Sequence, residues 1–99
     1  MVWGAVWQND TVQAGETSDP FLMTGFDKKT LHLKNNGSND VEFTILVDFQ
    51  GNDEWSVFRK ITVKGNEYEY YTFPDGYSAH WVKLQVDKKA VVTAQFDYN

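Results

Sequence analysis

The feature that most restricts this chain is the run Val41 to Gln50, in which every odd position is apolar and every even position except Leu46 is polar. Side chains of a β-strand point alternately to its two faces, so this period-two pattern predicts a half-buried strand with Val41, Phe43, Ile45, Val47 and Phe49 inward. The C-terminus repeats it, with Val92, Ala94, Phe96 and Tyr98 on one side and Val91, Thr93, Gln95 and Asp97 on the other. Leu31 and Leu33 face inward against Thr30, His32 and Lys34. In the segment from Tyr77, His80, Val82, Leu84 and Val86 alternate with outward Ala79, Trp81, Lys83 and Gln85. No segment carries the i, i+3, i+4, i+7 spacing of an amphipathic helix, and almost no helix is predicted.

Two runs break phase in informative ways. Between Trp55 and Val63, Arg59 shares a parity with Trp55, Val57, Ile61 and Val63 while Phe58 falls opposite, which predicts a bulge near Phe58 to Lys60. Consecutive Tyr70 and Tyr71 must point to opposite faces, so one of those rings is predicted to be exposed. The pairs Asn36-Gly37, Gly51-Asn52, Gly65-Asn66 and Asp75-Gly76 separate the apolar runs and read as turns of successive antiparallel hairpins. Up to Gly25 the pattern is less regular, and short edge strands or an ordered loop are expected there. About seven to eight short strands with one solvated face predict an all-β fold, an antiparallel β-sandwich of jelly-roll or Ig-like type, with a small barrel as the alternative.

A chain of 99 residues suits a single sandwich domain over 1–99. Its four Trp, five Tyr and seven Phe supply much buried area per residue and exceed what one small core needs. A net charge of −5 disfavours affinity for nucleic acid or anionic membranes, which depend on clustered Lys and Arg. The absence of cysteine excludes a disulfide framework and thiolate chemistry. No apolar run approaches the roughly 20 residues that span a bilayer, and the Met1-Val2-Trp3-Gly4 start has no basic or apolar leader, so a soluble chain is expected.

No nucleophile elbow, zinc-protease helix, phosphate loop or dinucleotide fingerprint is present, and the two histidines, His32 and His80, read as structural. Asp48, Asp53, Glu54, Glu67 and Glu69 could pair as glycosidase carboxylates, but so small a domain has little room for a cleft that buries them, and no catalysis is expected. The acidic segment Asp48 to Glu54 departs from the EF-hand pattern at Gln50 and Asp53; it reads as a solvated hairpin tip, with a structural calcium as the alternative and no other metal or cofactor expected.

The outward aromatics carry more information. A tryptophan on a solvated strand face leaves apolar area in water unless something covers it. Trp81 beside Lys83 has this property, and with Tyr70 or Tyr71, Trp55 and Arg59 it would form a shallow platform whose rings meet the C–H faces of sugars while polar side chains bond hydroxyls. The competing reading buries Trp81 beneath the N-terminal segment against Trp3 or Trp7. The basic pairs Lys28-Lys29, Arg59-Lys60 and Lys88-Lys89 would suit an anionic glycan, or are ordinary solvated turns.

Three stretches, Asp19 to Leu31, Val47 to Trp55 and Phe73 to Val82, together resemble β-sandwich accessory domains at the C-terminal ends of secreted bacterial polysaccharide-active enzymes. The resemblance implies an extracellular module similar in role to carbohydrate-binding modules, whose partners are a polysaccharide, in one version an anionic algal or cell-wall glycan, and the catalytic domain of the same parent protein. It assigns no site residue. The alternative function is a structural spacer or docking domain whose outward aromatics pack on a neighbouring domain.

Overall fold

The structure, a computed structural model, describes residues 2–23, 28–74, 77 and 79–98, with Val2 and Trp3 described by their backbone alone. Eight strands form: β1 (Val2–Val12), β2 (Phe21–Leu22), β3 (Lys29–Asn35), β4 (Val41–Asp48), β5 (Ser56–Val63), β6 (Tyr68–Thr72), β7 (Trp81–Val86) and β8 (Ala90–Tyr98). They make two antiparallel four-stranded sheets, ordered β1-β8-β3-β6 and β2-β7-β4-β5. Among the described residues there is no helix. The alternation does what the sequence requires: Val41, Phe43, Ile45 and Val47 of one sheet are buried against Leu31, Leu33, Ala94 and Phe96 of the other.

The connectivity differs from the expected run of hairpins. Of the chain-consecutive strand pairs, β4 and β5 are hydrogen-bonded to each other, and every other connection carries the chain from one sheet to the other. This strand order is that of a jelly roll, which selects between the two sandwich types expected. Turn residues set where a chain reverses; they carry no information about which sheet receives the next strand. The expected turn at Asp75-Gly76 lies outside the described residues.

Two of the crossings are fastened together. Asn35, at the inward-facing end of β3 and fully buried, donates its amide to the carbonyls of Asn39 (2.6 Å) and Val63 (3.0 Å) and accepts from the Gly37 N–H (3.0 Å). Gly65 in the other crossing lies so close to this loop that a Cβ there would sit 2.3 Å from the Ser38 carbonyl oxygen. The positive φ of that turn, 61°, belongs to Asn66. Gly65 is thus demanded by backbone approach and not by its own dihedral angle.

Strand β1 corrects the expectation of short N-terminal strands: it runs 11 residues, although it does lie at a sheet edge. Register shifts around Trp7 and a left-handed Asn9 (φ 54°) let the irregular sequence stay paired with β8. The two-residue β2 lies at the other sheet's edge, where Phe21 stacks 5.1 Å from Phe96. In β5, register slips between Ile45 and Leu46 of its partner, leaving Phe58 as the extra residue, as the phase break predicts. The bulge turns Phe58 onto Phe73 (5.3 Å) and Tyr77 (4.8 Å) and leaves Val57 outside.

Three local expectations fail where strands end. Phe49 is 54% exposed because β4 stops at Asp48 and the chain turns away from the core. Ala79 is buried, and His80 half-buried, because β7 begins only at Trp81 and the alternation does not extend back to them. Lys29 shares the inward parity of Leu31 and Leu33, is 2% exposed, and donates to the Tyr77 carbonyl at 2.7 Å. It is therefore no part of a basic surface.

Candidate functional site

The loop after β1 is strapped to β7. Ser18 is buried, its backbone N–H donates to the Leu84 carbonyl, and its hydroxyl accepts from the Leu84 N–H at 2.9 Å. This strap brings Pro20 to the end of the sheet where Trp81 opens β7 and the β4–β5 turn begins. Pro20, Asp48, Gly51, Asp53, Trp55 and Trp81 line an open depression of about 310 Å³ there.

The turn is organised by one carboxylate. Asp48 Oδ1 accepts from the N–H groups of Gln50, Gly51 and Asn52 at 3.2, 2.9 and 3.3 Å, and Oδ2 accepts from Asp53 at 2.9 Å. Gly51 (φ 73°) and Asp53 (φ 62°) take the left-handed conformations that make this possible. Burial pushes the Asp48 carboxyl up, but the donors from Asp53, Gly51, Asn52 and Gln50 outweigh it and hold the group below its ordinary value. Both oxygens of Asp48, which would lead the alternative calcium site, are thus turned onto the turn's own backbone. Among the described residues no three His, Asp or Glu side chains gather as a metal-holding group.

This organisation makes a pH-dependent prediction. A carboxyl whose folded value is depressed contributes stability that is fully present above its unfolded value, near pH 4, and is lost as pH falls through the lower folded value. Asp48→Asn keeps the shape but removes the charge and sets its NH2 group against at least one of the four N–H donors, so its melting temperature is expected to fall below wild type at pH 7. The gap should narrow when both proteins are melted at pH 3. A gap unchanged between the two pH values would show that the carboxylate charge does not hold the turn.

The turn in turn places Trp55, whose indole N–H donates to Asp53 Oδ1 at 2.8 Å. Lys83, reaching across β4 from β7, holds its Nζ 4.2 Å from the centre of the Trp55 ring. A cation over an indole face contributes about 0.5–1 kcal/mol at an exposed site. Trp81 is half-buried, with the His80 ring 5.3 Å away, and His80 in turn packs against Gly51. Trp7, offered as a partner that would bury Trp81, instead packs in the core 6.4 Å from Phe43. The Trp3 ring lies outside the described residues.

Of the six residues expected to form one platform, the structure brings Trp55, Lys83 and Trp81 together on the outer face of the β2-β7-β4-β5 sheet. The other three stand elsewhere: Tyr70 and Tyr71 because β6 belongs to the opposite sheet, and Arg59 because on β5 it pairs with the inward-facing Ile45. Arg59 lies 4.8 Å above the Tyr71 ring, which is packed on Phe58 and Phe73 at the β5–β6 margin of the sandwich. Tyr70 is 63% exposed on the outer face of the β1-β8-β3-β6 sheet. One of the two consecutive tyrosines is exposed, as expected, but it serves a different face. Pro20, Gly51 and Asp53 were not anticipated at the site. The Asp53–Trp55 spacing, with a turn carboxylate two residues before an indole, is a local signal for Asp53, whereas Pro20 reaches the site only through the Ser18 strap.

No family model matches this chain. No curated protein matches it either. Among solved structures, the crystal structure of the SPBc2 prophage-derived protein YomS is similar over 98% of this chain and 92% of its own, with a TM-score of 0.69 at 13% identity. The crystal structure of PirA is similar over 99% of this chain and 92% of its own, with a TM-score of 0.49 at 12% identity. A CBM4 structure is similar over 84% of this chain and 58% of its own, with a TM-score of 0.44 at 18% identity. The likeness to YomS establishes a shared fold. At these identities it says nothing about what this chain binds.

Proposed function

We propose that this domain is a non-catalytic carbohydrate-binding module that seats a polysaccharide in the Trp55–Trp81 depression and works outside the cell for an attached catalytic domain. The observation that carries this reading is the meeting of two indoles in one open depression whose rim is held by hydrogen bonds, with Asp53 fixing Trp55 and the Asp48 turn fixing Asp53. Indole faces suit the C–H faces of pyranose rings, and a ring already locked in place loses little freedom when a sugar covers it. The lining includes two acidic side chains, Asp48 and Asp53, and the neighbouring Lys83 ammonium lies against the Trp55 ring, so no single sign of charge dominates the site. A neutral polysaccharide therefore fits better than the anionic glycan that the Lys and Arg pairs suggest.

Affinity electrophoresis against a panel of plant, algal and microbial polysaccharides tests the reading. At least one polymer should retard the domain, and Trp81→Ala and Trp55→Ala should each weaken that retardation by about tenfold, near 1.4 kcal/mol. No retardation by any polymer, or undiminished retardation in both variants, would overturn it.

A second reading rests on a specific observation. Leu22 (44% exposed) is paired with Trp81, and Val57 (58% exposed) with Leu46, so apolar side chains extend the same sheet face on either side of the site. A docking domain would use that face against a neighbouring domain of the parent protein. On this reading the isolated domain self-associates and ignores sugars.

A further inference from the structure

The opposite face of the sandwich carries a second depression of about 320 Å³, lined by His32, Leu33, Lys34, Tyr68, Thr93, Gln95 and Asp97. Its floor is built by register. Lys34 lies between Tyr68 and Thr93, and His32 between Tyr70 and Gln95, so two rows of outward side chains run from β6 across β3 to β8. At the β6 end three rings form a strip. His32 and Tyr68 stack at 5.8 Å with planes 21° apart, and Tyr68 and Tyr70 at 6.4 Å with planes 29° apart. Tyr68 and Tyr70 are 49% and 63% exposed, which is unusual for paired aromatics on a sheet that has a well-filled core on its other side.

Two of the three rings, His32 and Tyr68, are held in place by hydrogen bonds, and Tyr70 stacks on the second of them. His32 bridges two strands: its Nε2 meets Asp97 Oδ2 at 2.9 Å and its Nδ1 meets the Tyr68 hydroxyl. A carboxylate only accepts, so a neutral imidazole donates to Asp97 from Nε2 and accepts the Tyr68 proton at Nδ1. Gln95 donates to the other Asp97 oxygen at 2.9 Å, and Lys34 reaches the Asn66 carbonyl at 3.3 Å. The Thr93 oxygen already accepts from the Asn9 N–H and the Asn36 amide, which leaves its O–H to donate, and with the Tyr68 oxygen, the Gln95 amide and the Lys34 ammonium it supplies both donors and acceptors beside an aromatic strip. One cation and one carboxylate offset each other across the depression.

We propose that this face is a second ligand site, for a neutral oligosaccharide that stacks on Tyr70 and Tyr68 and hydrogen-bonds to Gln95, Thr93 and Lys34. An anion would need more than the single lysine, and a wholly apolar ligand would strand the polar floor. A sugar satisfies both halves, because each pyranose has an apolar C–H face and a rim of hydroxyls that donate and accept. The site stands independently of the Trp55–Trp81 depression. Only its corollary rests on that reading: with ligand sites on opposite faces, the domain would link two polymer chains and gain avidity on an insoluble matrix.

The test is a backbone-amide NMR titration of the wild type and of the Trp55→Ala/Trp81→Ala double variant with cello-, xylo-, manno-, laminari- and maltohexaose at millimolar concentration. Shifts at Lys34, Tyr70 and Gln95 that persist in the double variant are the expected result. Tyr70→Ala should weaken that binding by about tenfold and Tyr70→Phe should leave it within about twofold, because the ring and not the hydroxyl makes the contact. Tyr70 is on the surface, so neither change threatens the fold. Shifts confined to Gly51, Asp53 and Trp81 would support the first site and overturn this one. Shifts on neither face with all five sugars, or undiminished binding in Tyr70→Ala, would overturn it as well.

Discussion

Phe43→Ala is expected to remove about 3–5 kcal/mol of folding stability, a large part of the 5–15 kcal/mol typical of a domain. Phe43 is fully buried in β4, paired in the ladder with Ile61 on one side and Val86 on the other, and its ring meets Trp7 of the opposing sheet at 6.4 Å. Truncation loses the transfer free energy of the ring and leaves a cavity between two sheets whose backbones are each held by their own ladders. Neither sheet can collapse far toward the other without breaking strand register. Guanidinium denaturation should show the midpoint falling with little change in slope, and Phe43→Leu should recover more than half of the loss. A loss below about 1 kcal/mol for Phe43→Ala would mean the sheets do not meet at this ring.

The second large effect comes from a polar side chain. Asn35→Ala should cost about 2–4 kcal/mol, because it orphans the carbonyls of Asn39 and Val63 and the N–H of Gly37 at a fully buried position. Asn35→Asp is the sharper test. The two side chains are nearly the same shape, but a carboxylate points acceptors at two carbonyl oxygens, so Asp should destabilise at pH 7 at least as much as Ala. An aspartate variant as stable as wild type would show that the amide N–H donors do not fasten the two crossings, which Asn35 is placed to do.

Much of this fold is legible in the amino-acid sequence. The buried faces of β3, β4, β7 and β8 follow from period-two alternation because each strand covers the core with one face only. The bulge at Phe58 was legible too, since a large ring on the wrong parity must be corrected by an inserted residue. Alternation stopped being informative where strands stopped. Phe49, Ala79 and His80 lie beyond the hydrogen-bonded ladder that enforces the pattern, so parity does not set their faces. Lys29 shows the converse, an inward position filled by a residue type that sequence reasoning places in solvent.

The candidate site was legible only in part, for a topological reason. Trp81 and Lys83 are two residues apart on one strand, so their common face follows from local geometry, and Trp55 joins them through the turn that β4 and β5 share. Tyr70 and Tyr71 cannot be placed this way, since their relation to Trp81 depends on which sheet β6 enters, and the face of Arg59 depends on the β4–β5 register beside the Phe58 bulge. Pairing between strands far apart in sequence leaves no mark on either strand's own pattern. The sequence by itself determined that this chain folds as alternating strands around an aromatic core and that Trp81 faces away from it. Only the tertiary structure decided that the strands interleave as a jelly roll, because sheet membership is set by long-range pairing. By the same pairing it gathered Trp55, Asp53 and Trp81 on one face and sent Tyr70 to join His32 and Tyr68 on the other.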